Sequence, residues 1–215
     1  MTLEVAVVQK NWPLHKPFKI SRDVHNVSET IICDVSDGEF RGRGEAAGVS
    51  YAGETQDSIQ QQIEGVAGEL RSGITRDELQ GLLPPGGARN AIDCALWDLE
   101  AKRGGQTIWQ MIGWDPQPVT TVYTVGIDTP ENMQKDAESH NDHALIKVKV
   151  GIGDPLEQIR AIRAGAPNAG IVIDANQAWG IAELERYALP LKELGVEMIE
   201  QPMKVGDDAA LRDYE

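Results

Sequence analysis

From residue 119 onward the chain alternates short apolar runs with amphipathic segments, a pattern that predicts strands followed by helices. The apolar runs predict four strands, at 120–125, 145–150, 170–176 and 196–201. The amphipathic segments between them predict three helices, over 130–140, 155–164 and 182–194. Strands and helices that alternate at this spacing pair in parallel through right-handed crossovers. This part of the chain is therefore predicted to form part of a (β/α) barrel.

The beginning of the chain shows a different pattern, in which strands come first and helices follow. Alternating polar and apolar positions predict three strands, at 3–9, 30–35 and 39–45. The dipeptide Asp37-Gly38, a strong hairpin signal, separates the last two. Residues 13–29 are polar and interrupted by proline, and we interpret them as a functional loop.

Two helices are predicted after these strands, over 54–70 and 88–102. The second has one apolar stripe at helical spacing, formed by Ala88, Ala91, Ile92, Ala95, Leu96 and Leu99. Gly104-Gly105 is expected to end this helix. The pattern changes after residue 115, so the chain is predicted to have an α+β domain at 1–115 and a second domain at 116–215.

Composition and charge narrow the class of protein. Hydrophobic residues make up 41% of the chain and charged residues 25%, which is typical of globular proteins. The net charge of −14 argues against nucleic acid as a partner. No apolar run approaches the roughly 18 residues that a membrane helix requires. The two cysteines, Cys33 and Cys94, show no metal-binding spacing, and a cytoplasmic location is expected.

Three polar residues recur at nearly equal intervals, each at the end of a predicted strand of the second domain. Lys149, Asp174 and Glu200 are 25 and 26 residues apart (174 − 149 and 200 − 174). This interval is the length of one strand, one helix and two short loops. The carboxyl ends of the strands of a (β/α) barrel meet at one mouth, where catalytic residues gather. We therefore predict that these three side chains face a common cavity.

The strand of Lys149 carries a second lysine, Lys147. Because side chains alternate between the two faces of a strand, both lysines point to one face, and Ile146, Val148 and Val150 point to the other. Two neighbouring ammonium groups disfavour each other's protonation, which is expected to lower the pKa of one lysine toward that of a usable base. The alternative is an edge strand that exposes two lysines to solvent.

Asp174 and Glu200 close strands that are otherwise apolar, and Asn176 shares the face of Asp174. Burial of an unpaired carboxylate is costly, so a bound cation would explain both. No histidine or cysteine lies at these strand ends, and oxygen ligands favour Mg²⁺ over zinc. For either carboxylate taken alone, a helix N-cap or a loop ion pair is the alternative.

Three short motifs at the strand ends resemble the muconate-lactonising subgroup of the enolase superfamily. They are K-V-K at 147–149, D-A-N at 174–176 and E-Q-P at 200–202. The segment 88–105 is similar to the last helix of the capping domain of that family. Three further segments are similar to dipeptide epimerases that act on Ala-Glu: FKISR at 18–22, GEAAGVSYAGET at 44–55 and TVGIDTPENM at 124–133. The resemblance covers essentially the whole chain.

The resemblance implies an α/β fold. An α+β capping domain, an antiparallel meander plus helices, would be followed by the first half of a modified TIM (β/α) barrel with four βα units. The resemblance also implies a Mg²⁺-dependent epimerase or racemase that abstracts the α-proton of a carboxylate substrate through an enediolate. Ala-Glu-type dipeptides would be the substrates. The expected partner is a small dipeptide, with no nucleic acid and no membrane, and the choice between a monomer and a homo-oligomer stays open.

Site residues follow from the same resemblance. In the barrel, Lys149 would be the catalytic base, and Lys147 would tune it. Asp174 and Glu200 would be metal ligands, and Asn176 would support the metal site without binding the metal itself.

The resemblance assigns substrate contacts to three further residues. Arg22 would pair with the acidic side chain of the substrate, Tyr51 would line the closing loop, and Thr124 would contact the substrate. A solvated loop cation is the alternative for Arg22.

Two parts of the family pattern are expected beyond the chain. The interval of 25 residues projects a third carboxylate ligand to about position 225 (200 + 25), and the second catalytic lysine also lies on a later strand. We therefore expect the chain to lack the second half of the barrel. The alternative functions are another activity of the subgroup (cycloisomerase, o-succinylbenzoate synthase or N-acylamino acid racemase) or an inactive fragment that serves as a structural or association module.

Overall fold

The computed structural model describes residues 2–20 and 24–212 and divides into two compact units. The first unit consists of Met1–Leu14 and Val27–Gln117, and the second of His15–Asn26 and Pro118–Glu215. The sequence indicates a domain boundary between residues 115 and 116, and we keep that boundary as a proposal. Within the described ranges, no helix combines the length and the apolar character needed to cross a membrane.

A three-stranded sheet begins the chain, in the order β1-β2-β3. Its strands are β1 (Glu4–Lys19), β2 (Val24–Ser36) and β3 (Arg41–Ala47). Strands β2 and β3 are antiparallel. The core side of β2 is formed by Ile31, Cys33 and Val35, all fully buried. The predicted meander is confirmed.

The interpretation of residues 13–29 as a loop is wrong where the structure describes them. Strand β1 continues to Lys19, and β2 begins at Val24. These parts of the strands are exposed on both faces, so they show no apolar alternation. Pro13 and Pro17 are tolerated because β1 is an edge strand, where a missing N–H donor leaves no ladder bond unmade.

The turn between β2 and β3 is the predicted one at Asp37-Gly38, with Gly38 at a φ of 95°. Oδ1 of Asp37 accepts hydrogen bonds from the N–H groups of Phe40 (2.7 Å) and Glu39 (2.9 Å). Oδ2 accepts one from Nε of Arg103, in a helix described below. The Phe40 N–H, followed by Arg103, lowers the pKa of Asp37 from 3.8 to about 2.

A pH-dependent contribution to the stability of the first unit follows from this shift. Because the pKa of Asp37 is lowered on folding, its carboxylate stabilises the fold at pH values above its ordinary pKa of 3.8. This stabilisation is lost as the pH falls through about 2. We expect Asp37→Asn to lower the urea midpoint at pH 6, and the difference from the wild type to shrink between pH 4 and pH 2. Equal differences at pH 6 and pH 2.5 would contradict the assignment.

Five helices complete the first unit. They are α1 (Gln56–Gly65), α2 (Ala67–Arg71), α3 (Arg76–Leu82), α4 (Gly87–Gly104) and α5 (Ile108–Ile112). The helix predicted over 54–70 is broken in two at Val66, which has a φ of −110°. Helix α4 buries the predicted apolar stripe. It packs so closely on β3 that a Cβ on Gly42 or Gly44 would lie about 2 Å from a carbonyl oxygen of α4.

The second unit contains a four-stranded parallel sheet in the order β4-β5-β6-β7, with a helix after each of the first three strands. Its strands are β4 (Tyr123–Val125), β5 (Leu145–Lys149), β6 (Gly170–Asp174) and β7 (Val196–Glu200). Its helices are α6 (Pro130–Ser139), α7 (Leu156–Gly165) and α8 (Ile181–Glu193). The predicted α/β class and its alternation of strands and helices are confirmed.

Candidate active site

Three adjacent strands end at the same level, and each ends in a charged residue. Lys149 is the last residue of β5, Asp174 of β6 and Glu200 of β7. The strand register pairs Lys149 with Asp174 and Asp174 with Glu200. In-register neighbours in a parallel sheet point to the same face, so the three side chains converge.

The apolar face of β5 fixes the direction of its two lysines. Ile146, Val148 and Val150 are fully buried in the core of the second unit. Burying them against the helices leaves Lys147 and Lys149 on the other face, because side chains alternate along the strand. The side chains of both lysines are themselves largely covered.

Direct contacts join the two lysines to the two carboxylates. Nζ of Lys149 donates to Oδ2 of Asp174 at 2.6 Å. Nζ of Lys147 lies 3.0 Å from the same oxygen and also pairs with Oε2 of Glu200. Oδ1 of Asp174 accepts the N–H of Asn176 at 2.8 Å. Asp174 is only 1% exposed, so its charge depends on these partners.

The charges stabilise one another. Burial, the largest single influence, disfavours the ionised form of Asp174, but Lys149, Lys147 and the N–H of Asn176 outweigh it and lower the pKa of Asp174. Burial likewise opposes the charged form of Lys147, and Glu200 and Asp174 outweigh it, so the pKa of Lys147 is raised. The lysine with the lowered pKa that the sequence predicts is therefore not Lys147, because two carboxylates contact its ammonium group.

The backbone just beyond these strand ends is unusual. Among the described residues other than glycine, positive φ angles occur at Asn176 (47°), Gln177 (65°) and Gln201 (44°). Such conformations cost about 1–3 kcal/mol each and cluster at functional sites. The N–H of Gln177 donates to the carbonyl of Gln201 at 2.7 Å, which links the loops after β6 and β7. The motif E-Q-P includes Gln201, but no residue-type signal predicts the left-handed conformation of either glutamine.

The donor set fits a hard divalent cation. Asp174 and Glu200 present carboxylate oxygens from adjoining strands, and Mg²⁺ is commonly held by one or two carboxylates together with substrate and water oxygens. Over residues 2–20 and 24–212, no three histidine, cysteine, aspartate or glutamate side chains are grouped closely enough to hold a metal ion. The two carboxylates are hard oxygen donors of the kind that Mg²⁺ takes, and an ion on them would need its further oxygen ligands from substrate or water.

The other predicted site residues have different positions. Thr124 is half-buried on β4, in register with Lys147, which is two residues before Lys149 in the row of strand ends. Tyr51 belongs to the first unit, in the 3₁₀ turn Ser50–Ala52, and its side chain is exposed. Arg22 lies outside the described residues. The structure thus brings together Lys147, Lys149 and the two carboxylates.

Comparisons with known proteins place the chain in a family. Residues 2–113 match the N-terminal domain of the mandelate racemase / muconate lactonizing enzyme family, and residues 131–215 match the enolase C-terminal domain-like family. A two-unit α/β protein with charged residues at the ends of parallel strands agrees with both matches. The chain belongs to the mandelate racemase / muconate lactonizing enzyme family of the enolase superfamily.

Individual relatives are epimerases or resemble them. The chain is 39% identical to the L-Ala-D/L-Glu epimerase of Escherichia coli over 213 residues, which are 98% of this chain and 66% of that protein. An enolase family member of Agrobacterium tumefaciens with homology to dipeptide epimerases, solved with sodium and L-Ala-L-Glu, is similar with a TM-score of 0.94 and 37% identity, over 99% of this chain and 66% of its own. The dipeptide epimerase of Methylococcus capsulatus, solved with Mg and L-Arg-D-Lys, has a TM-score of 0.90 and 26% identity, over 100% of this chain and 65% of its own. The chain therefore spans just under two thirds of the length of these relatives.

Proposed function

We propose that the protein, at its natural full length, is a Mg²⁺-dependent epimerase of Ala-Glu-type dipeptides. The observation that supports this most strongly is the contact of Lys149 with Asp174, at 2.6 Å, on neighbouring strand ends. This contact sets an amine that can accept a proton beside a carboxylate that suits a metal ligand. The dipeptide is proposed because the relative that is 39% identical is named for Ala-Glu, and the one that is 37% identical was solved with L-Ala-L-Glu.

Lys149 would be the base. In its neutral form it would take the α-proton of the substrate on one face, and the electron pair of the C–H bond would move toward the substrate carboxylate. The ammonium group formed on Lys149 would be stabilised by Asp174, its partner in the structure. Inversion of the centre requires a proton from the opposite face, and we assign no described residue to that step.

The residues around Lys149 would hold the substrate carboxylate and control charge. Asp174 and Glu200 would bind Mg²⁺, which supplies positive charge to offset the charge that develops on the substrate carboxylate as the proton leaves. Asn176 would keep Asp174 oriented through its N–H. Lys147, paired with both carboxylates, would tune Lys149 by adding a positive charge beside it.

Substrate contacts are proposed for three further residues. Thr124 would contact the substrate from the middle of β4, and Tyr51 would line the loop that closes over it. Arg22 would pair with the side-chain carboxylate of the second residue, because a guanidinium forms two parallel hydrogen bonds with a carboxylate.

A panel of substrates tests the function. The protein at full length, with Mg²⁺, would be incubated with L-Ala-L-Glu, with L-Ala-Leu, with an N-acylamino acid and with a muconate. Chiral chromatography would then follow the products. We expect L-Ala-D-Glu to appear fastest. Racemisation of the N-acylamino acid or lactonisation of muconate at a higher rate would favour another activity of the family, and no product from any substrate would contradict an enzymatic function.

Arg22→Ala is expected to weaken the use of Ala-Glu selectively. Loss of a charged hydrogen bond costs about 2–3 kcal/mol in transition-state binding, which corresponds to a fall in kcat/KM of roughly 30-fold to 150-fold. The rate with Ala-Leu should change much less, because its side chain carries no charge. Steady-state kinetics with both dipeptides measures the difference.

The matched control is Arg22→Lys, which keeps the charge but cannot form two parallel hydrogen bonds. We expect it to lie between the wild type and Arg22→Ala with Ala-Glu. Equal losses with Ala-Glu and Ala-Leu would show that Arg22 has a structural role, and the choice of an acidic substrate would lose its basis.

A further inference from the structure

An ion pair within the second unit attaches the end of β1 to helix α6, which follows β4. Nζ of Lys16 lies 2.7 Å from Oδ2 of Asp136, on α6. The other oxygen of Asp136 accepts a hydrogen bond from the hydroxyl of Tyr123, on β4, at 3.0 Å. Asp136 thus joins three elements, and we call Lys16, Asp136 and Tyr123 the latch. The hydrogen bond to Asp136 raises the pKa of Lys16, which agrees with a formed ion pair.

The latch is held in place from its other side. The ring of Tyr123 stacks on the ring of His140, with centroids 3.7 Å apart and planes 12° from parallel. His143 lies against the same tyrosine, at 5.3 Å. Nδ1 of His140 is 2.8 Å from the carbonyl oxygen of Asp136. These contacts restrict the tyrosine, so its hydroxyl can hold Asp136 in the orientation that meets Lys16.

A second attachment lies three residues further along β1. The N–H of Ile127 donates to the carbonyl of Lys19 at 3.1 Å. A Cβ on Gly126 would be 3.4 Å from that same carbonyl oxygen, so the two backbones approach closely here. Ile127 lies two residues after the end of β4, whose middle residue, Thr124, is in register with Lys147 and shares its face of the sheet. The segment 16–19 is therefore fixed at both ends beside this strand.

We propose that the latch positions the end of β1 for substrate selection, so that Lys16 and Asp136 determine which dipeptide is accepted without touching it. The chain continues from Lys19 to Arg22, which is three residues, or at most about 11 Å of chain, further on. Loss of the latch removes the side-chain attachment at Lys16, while the backbone hydrogen bond between Lys19 and Ile127 stays to fix the starting point of that stretch. This inference rests on the proposed contact of Arg22 with an acidic substrate.

The expected effects are modest because Lys16 is 61% exposed, and exposed ion pairs are weak. Lys16→Met should raise KM for Ala-Glu about threefold to tenfold, change kcat less than twofold and leave Ala-Leu within twofold. Asp136→Asn should have a larger effect, because Asp136 also bonds Tyr123. Lys16→Arg should restore the wild-type KM, and Lys10→Met, which removes another lysine of β1, should have no effect.

A double-mutant cycle separates positioning from general destabilisation. In the Arg22→Ala background, Lys16→Met should produce no further rise in KM for Ala-Glu. Additive effects, or equal effects with Ala-Glu and Ala-Leu, would overturn the proposal.

A second readout does not depend on activity. Hydrogen exchange measured by mass spectrometry on a peptide that covers Ile127 should be faster in Lys16→Met than in the wild type or Lys10→Met. Unchanged exchange would overturn the attachment itself. Faster exchange in a protein whose wild type acts on no dipeptide would instead leave the attachment standing and remove the proposed function.

Discussion

Lys149→Met is expected to reduce the rate of epimerisation by about 10²-fold to 10⁴-fold, the range for loss of a positioned general base. Methionine keeps the length of the side chain at a position that is only 9% exposed, and it removes the amine. Asp174 keeps Lys147 and the N–H of Asn176 as partners, so the fold should be retained. Rates from chiral chromatography, beside near-ultraviolet circular dichroism, measure both effects.

Lys149→Arg distinguishes a base from an ion-pair partner. Arginine keeps the positive charge beside Asp174, but its guanidinium stays protonated and cannot accept the α-proton. We expect this variant to be about as inactive as Lys149→Met while unfolding at a higher urea concentration. Retention of more than a tenth of the wild-type rate by either variant would exclude Lys149 as the base.

Asp174→Asn is expected to abolish the response of the protein to Mg²⁺. The substitution keeps the shape of the side chain and removes the charge that both lysines contact. Leaving buried charges without their partner costs about 3 kcal/mol or more, so the variant should also be less stable without metal. In the wild type, binding of Mg²⁺ to the folded state should raise the Tm, because a ligand of the native state stabilises it by mass action. In Asp174→Asn this rise should disappear.

Asp142→Asn provides the control. Asp142 is a carboxylate of the second unit whose side chain is 84% exposed and lies beside His143. Its replacement should leave both the Tm and the Mg²⁺-dependent rise unchanged. An equal rise in Asp174→Asn and in the wild type would show that Asp174 is not a metal ligand.

Much of the second unit could be predicted from the sequence, since its strands are short, apolar and regularly spaced. Strand β5 was predicted at 145–150 and is found at Leu145–Lys149. The proximity of Lys149, Asp174 and Glu200 follows from one rule, that the carboxyl ends of parallel strands lie at the same edge of the sheet. The alternation of polar and apolar residues predicts which side chains share a face, because burial of the apolar face directs the other side chains to the opposite face.

The parts that sequence reasoning missed depend on interactions that no local pattern encodes. The end of β1 and the beginning of β2 form strands without burying an apolar face, so the sequence pattern at 13–29 favours a loop. The break at Val66 and the left-handed Gln201 are backbone conformations that surrounding structure imposes. The raised pKa of Lys147 depends on two carboxylates that come from other strands.

Proton nuclear magnetic resonance in D₂O tests the central proposal most directly. The protein at full length, with Mg²⁺, would be mixed with L-Ala-L-Glu, and the signal of the glutamate α-proton would be followed over time. We expect the signal to disappear as deuterium enters the α-carbon and the second epimer accumulates, and we expect Lys149→Met to abolish this exchange from the face that Lys149 serves. Absence of exchange with the wild type, or exchange from both faces that Lys149→Met leaves unchanged, would contradict the role of Lys149 as the base of a dipeptide epimerase.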